Sequence, residues 1–106
     1  MPKFLIEASY TAEGTKGLVK DGGSKRRQVA DQAIKSAGGT MEAFYFAFGD
    51  ADAIVIVDAP DHASITAASL AINASGFVRA KTTVLLTPEE VDQATKKTVS
   101  YRGPGQ

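Results

Sequence analysis

The sequence predicts an α+β domain, and three observations carry that prediction. Residues 24–37 repeat apolar side chains at helical spacing, residues 62–75 form a second helical stretch built largely on alanine, and apolar runs suited to strands lie around both. With 106 residues, 43% hydrophobic and 23% charged, the chain has the make-up of one globular domain and no room for a second. A domain this small leaves much of its surface wet, so association with another copy is a natural way to bury more.

Taken in order, "KFLIEASY" at 3–10 joins an apolar run to a polar end and suits a first strand. The segment "TAEGTKGLVKDGG", with four glycines among thirteen residues, reads as a long connection holding at most one helical turn around "KGLVK". Ser24 is placed to cap the helix "SKRRQVADQAIKSA", where Val29, Ala30, Ala33, Ile34 and Ala37 share a face and Gly38-Gly39 ends the run. Its opposite face carries Arg27, Asp31 and Lys35.

"TMEAFYFAF" and "DAIVIVDA" then read as an antiparallel hairpin around "GDAD". Asp61, behind Pro60, is a good cap for "HASITAASLAINAS", a helix with Ile65, Leu70 and Ile72 among small side chains. "FVRAKTTVLL" is the fourth strand, setting Arg79, Lys81 and Thr83 on one face against Val78, Ala80 and Thr82 on the other. "TPEEVDQATKK" opens with Thr87, Pro88 and Glu90 in the pattern of a capping box and predicts a short last helix.

Strand, helix, strand, strand, helix, strand is the order of a ferredoxin-like βαββαβ sandwich, here with an extra C-terminal helix. The domain is expected over residues 1–98, with 99–106 a polar tail. In such a fold the helices cover one face of an antiparallel sheet, and the other should be polar. Strands two and three break that rule. Phe44, Phe46 and Phe48 alternate with Ala43, Tyr45 and Ala47, and Ile54 and Ile56 with Val55 and Val57, so both faces call for cover. At about 1.5–3 kcal/mol per large side chain kept from water, a second copy is the economical cover, and the chain is expected to pair as a dimeric α/β barrel.

These residues resemble the GYD domain family, small proteins of the dimeric α/β-barrel type. The resemblance rests on "GGTMEAFYFAFGDADAIVIVDAPDHASITAASLAINASGFVRAKTTVLLTPEE", on "YTAEG" at Tyr10 to Gly14 and on the Arg26-Arg27 pair, and it spans roughly residues 3 to 90. The family is named for Gly-Tyr-Asp between the second and third strands. The corresponding stretch here is "GDADA", in which Gly49 and Asp52 match while Ala51 stands in place of the tyrosine. The resemblance implies a fold and a dimer and assigns no activity.

Several chemistries are excluded or unsupported. The chain has no cysteine, which removes disulfides, thiolate nucleophiles and thiolate metal sites. Lys plus Arg and Asp plus Glu stand at 12 each, so no global field draws the chain to nucleic acid. "SKRR", with Lys20 nearby, lacks interleaved aromatics and reads as a solvated helix start. No membrane span or signal segment is expected at the N-terminus, which points to the cytoplasm. No glycine-rich phosphate motif occurs, and no cofactor or metal site is expected.

The candidate functional residues are few. His62, the single histidine, is a weak candidate for general base work and is expected at a helix end near solvent. Asp50, Asp52, Asp58 and Asp61 lie close in sequence but at turn, strand-end and cap positions that favour aspartate for local reasons. Arg79, Lys81 and Thr83 would line a cleft with Tyr10 or Tyr45 if their face met the helices, and would suit an anionic or carbonyl-bearing ligand. The leading reading is a homodimeric small-molecule-binding or assembly module. A cofactor-free enzyme, oxygenase- or isomerase-like, is the alternative and requires His62, Tyr10, Tyr45 or Arg79 to converge on one cavity. A third reading makes the dimer a unit of a larger oligomer, with the last helix and tail reaching over a neighbour.

Overall fold

A computed structural model describes residues 1–106. Four strands, β1 (Lys3–Tyr10), β2 (Thr40–Phe46), β3 (Ala53–Asp58) and β4 (Val78–Leu85), form one antiparallel sheet in the order β2-β3-β1-β4. Four helices accompany them: α1 (Ala12–Asp21), α2 (Gly23–Ser36), α3 (His62–Ala74) and α4 (Pro88–Thr95). Placing β1 and β3 at the centre, with α2 and α3 as the crossovers, is the ferredoxin-like arrangement the element order predicted.

Alternation along the strands sorts the sheet into two faces. Phe4 and Ile6 of β1, Val55 and Val57 of β3, Ile34 of α2 and Ile65 of α3 are buried together as the core on the helix-covered side. Met41, Phe44 and Ala80 pack against that cluster. Phe4 and Val57 are the two largest side chains removed completely from water.

The opposite face carries no helix. Across it Leu5 lies opposite Ile56, Tyr45 opposite Ile54, and Glu7 opposite Lys81. Leu5, Ile54 and Ile56 are only half-buried and Tyr45 is exposed. At its edge the ladder between β2 and β3 shifts register between Met41 and Ala43, which leaves Glu42 as the extra residue of a bulge. Lys3 bridges Glu42 at 2.5 Å and Asp58 at 2.9 Å. Those two carboxylates, Glu42 first, raise the Lys3 pKa above its ordinary value.

Three expectations are corrected. Residues 12–21 are a regular helix, because Thr11 caps it, its side chain accepting from the Gly14 N–H, and glycines inside it are tolerated where packing decides. The next helix begins at Gly23 with Gly22, at φ 84°, as its cap residue, so Ser24 lies inside the helix and caps nothing. Phe48 does not share the face of Phe44 and Phe46: β2 ends at Phe46, and Phe48 stands fully exposed in the turn. The capping box predicted at Thr87 and Glu90 is present in both directions.

Candidate functional site

The short stretch that leaves β1 organises one end of the cleft. Thr11 donates its backbone N–H to the Phe77 carbonyl at 3.0 Å, and its hydroxyl reaches the Gly76 and Phe77 carbonyls at 3.0 and 3.2 Å. Gly14 is buried against the same strand, and a Cβ there would stand 1.9 Å from the Phe77 carbonyl oxygen. The turn after β2 is tied to the same place: the Asp52 carboxylate accepts from the Tyr10 N–H at 2.8 Å, and the Asp52 N–H donates to the Ala8 carbonyl at 2.8 Å. Tyr10 is thereby held at the end of β1 with its ring on the helix side, in sequence with Phe4, Ile6 and Ala8.

From there a two-layered cleft opens between the sheet and the helices. The outer layer is a groove of about 650 Å³ between α1, α2 and α3, floored by alanines such as Ala33, Ala37, Ala68 and Ala71. Small side chains on both helices leave this space because neither reaches far toward the other. Beneath it lies an apolar cavity of about 100 Å³ between α2, α3 and the sheet, walled by Val29, Ile34, Phe44, Val55, Ile72 and Val78 among others. Tyr10, Arg26, Val29, Ala33, Ile72 and Val78 line both layers, so the two adjoin.

Arg26 is the one charged side chain in the lining of the inner cavity. It is half-buried and makes no ion pair, the four ion pairs of the chain being held by Lys3, Lys16 and Lys35. The Tyr10 hydroxyl likewise has no hydrogen-bond partner in the protein. Sequence reasoning set Arg26 among the solvated residues of "SKRR", and for Ser24, Lys25 and Arg27, all exposed, that reading holds. The missed signal was periodic: Arg26 precedes Val29 and Ala30 by three and four residues, and so extends the apolar stripe of α2 by one turn.

The other candidates lie elsewhere. Ala80 packs on the core, and the Thr82 hydroxyl bonds Ser69 of α3 at 2.9 Å, so Arg79, Lys81 and Thr83 face away from the helices. They are exposed on the uncovered face of the sheet, where Tyr45 also lies, and do not line the cleft. His62 is exposed at the start of α3, its ring edge-to-face with Phe4 at 5.6 Å, outside the cleft. Of the residues proposed from sequence, Tyr10 alone belongs to the cleft. Asp61 caps α3, accepting from the Ser64 N–H at 2.7 Å, and that bond lowers its pKa below the ordinary value, helped by the charge of His62. No group of His, Asp and Glu side chains is arranged to hold a metal ion.

Residues 4–95, which include the Tyr10–Gly14 segment and Asp52, match the GYD domain. The chain belongs to the GYD domain family. The match covers all four strands and α1 through α4. Within this GYD domain, two of the segments that carried the resemblance have structural work: "YTAEG" docks β1 and α1 onto the start of β4, and Asp52 locks the hairpin turn to β1. No curated protein and no solved structure matches the chain. No helix of the structure is long and apolar enough to cross a membrane.

Proposed function

We propose that this GYD domain is a cytoplasmic homodimeric module that binds a small molecule in the cleft between its sheet and helices. The observation that carries the reading is the cleft itself, an apolar cavity of about 100 Å³ adjoining a groove of about 650 Å³, with Arg26 and Tyr10 in the lining of both. Ligand sites combine an apolar wall with a few convergent polar groups in this way. Pairing of two copies through the uncovered sheet face is supported by Leu5, Ile54 and Ile56, apolar side chains that no element of their own chain covers.

Native mass spectrometry of the full chain, purified gently from its own host, tests both parts. A dimer, or a multiple of it, carrying a defined extra mass is expected. The variant Ala33→Leu, which fills the junction of the two layers, should lose that mass while staying dimeric. A bare monomer at micromolar concentration would overturn the dimer, and an extra mass indifferent to Ala33→Leu would move the ligand out of this cleft.

A further inference from the structure

We propose that the ligand is a small monocarboxylate, its head held by Arg26 and Tyr10 and its short apolar tail seated in the inner cavity; this rests on the reading of the cleft as a binding site. A guanidinium without an ion partner at the rim of an apolar cavity is costly to desolvate and gains most from a planar oxyanion that accepts its fork of donors. Tyr10, which lines the same two layers, carries a hydroxyl as a further donor.

The local field favours the same sign of charge. α2 carries no acidic residue in its first turn and no side-chain cap, so the free N–H groups at its start add to the positive charge of Arg26, with Asp21, two residues before the helix, opposing them. The field also limits the charge to one. Glu13 and Asp21 stand on the wall of the outer groove, and only Glu13 is matched by a lysine, Lys16 at 3.3 Å. The Asp21 carboxylate repels any anion in the groove, a dianion such as a phosphate monoester about twice as strongly as a monoanion, so the single guanidinium holds a monoanion best.

The inner cavity sets the tail. At about 100 Å³ it is smaller than the ~150 Å³ apolar cavity that accepts benzene, so it holds an alkyl end of a few carbons. Whatever lies beyond the carboxylate occupies the outer groove.

Calorimetric titration of the full chain with hexanoate, hexanamide, hexylamine and inorganic phosphate tests the assignment. Hexanoate should bind about tenfold or more tighter than hexanamide, with hexylamine and phosphate weaker still. Arg26→Gln should weaken hexanoate by about tenfold or more and leave hexanamide unchanged, and Tyr10→Phe should weaken hexanoate by a few-fold. Circular dichroism establishes that each variant is folded, and Arg26→Lys, which keeps the charge without the fork, gives an intermediate loss. Equal binding of hexanoate and hexanamide, or equal losses for both on Arg26→Gln, would overturn the carboxylate while leaving the cleft as a binding site. Binding of none of the four would overturn the cleft reading with it.

Discussion

Two glycines of α1 show how differently one residue type is used here. Gly14 is buried, and its Cβ position lies 1.9 Å from a backbone oxygen of Phe77, whereas nothing stands within 4 Å of the Cβ position of Gly17. Gly14→Ala must push α1 off β4 and is expected to destabilise the domain by about 1–3 kcal/mol or more. Gly17→Ala meets no obstacle and should stabilise it by up to about 1 kcal/mol through helix propensity. Urea unfolding of both variants should give opposite signs. Core side chains follow the usual rule, and Phe4→Ala is expected to cost about 3–5 kcal/mol. Asp61 carries a pH signature: its pKa is lowered in the folded state, so its cap contributes above the unfolded value of 3.8 and is lost as pH falls through the lower native value. Asp61→Asn keeps the cap acceptor and removes the titration. Its stability relative to the parent should therefore change with pH in acid, as the Asp61 carboxylate of the parent takes up its proton.

Among the elements, those with strong periodicity or explicit caps were legible from the residues, and those set by contact were not. α3 and α4 begin where Asp61 and Thr87 place them, because a side-chain cap is written locally. α1 was read as a long connection holding one helical turn, since its glycines lower helix propensity; its anchorage comes from the bonds of Thr11 and the fit of Gly14 on Gly76 and Phe77, which are remote in sequence. The same distinction governs the site. Tyr10 was foreseen as a lining residue, but the face of β4 was left conditional, and packing of Ala80 and Thr82 turned Arg79, Lys81 and Thr83 to the other side. Thr11→Ala tests the α1 anchor: loss of the cap and of both hydroxyl contacts to the Gly76–Phe77 turn should cost about 0.5–2 kcal/mol and raise proteolytic nicking within 12–21.

At the scale of the whole molecule, the shape is unusual for a chain this short. Its radius of gyration is 16.9 Å, against about 13 Å for a compact domain of this length, and its extents are 57 × 32 × 23 Å. The excess lies at the C-terminal end, where α4 buries none of its residues and Leu86, Val91, Val99 and Tyr101 are exposed. A chain ending at Thr87 should therefore keep the folded body, with a change in monomer stability below about 0.5 kcal/mol. If it sediments as a dimer, as expected of the full chain, the proposed pairing runs through the sheet alone. In the proposed dimer, Ile56→Arg places a charge in the middle of the apolar sheet face and should weaken association at least about tenfold, read by the same method, without unfolding the protomer.

Periodicity, caps and turn residues by themselves determined the order of strands and main helices and the two-sided apolarity of β2 and β3, because each is a local or repeating property of the chain. Only the tertiary structure decided which face of β4 meets the helices, that residues 12–21 are helical, and that Arg26 borders an apolar cavity. Those outcomes depend on which distant surfaces come together: a local stretch can place a side chain on a face, as it places Arg26 on the stripe of α2, but it does not name the neighbours across a sheet or a cleft.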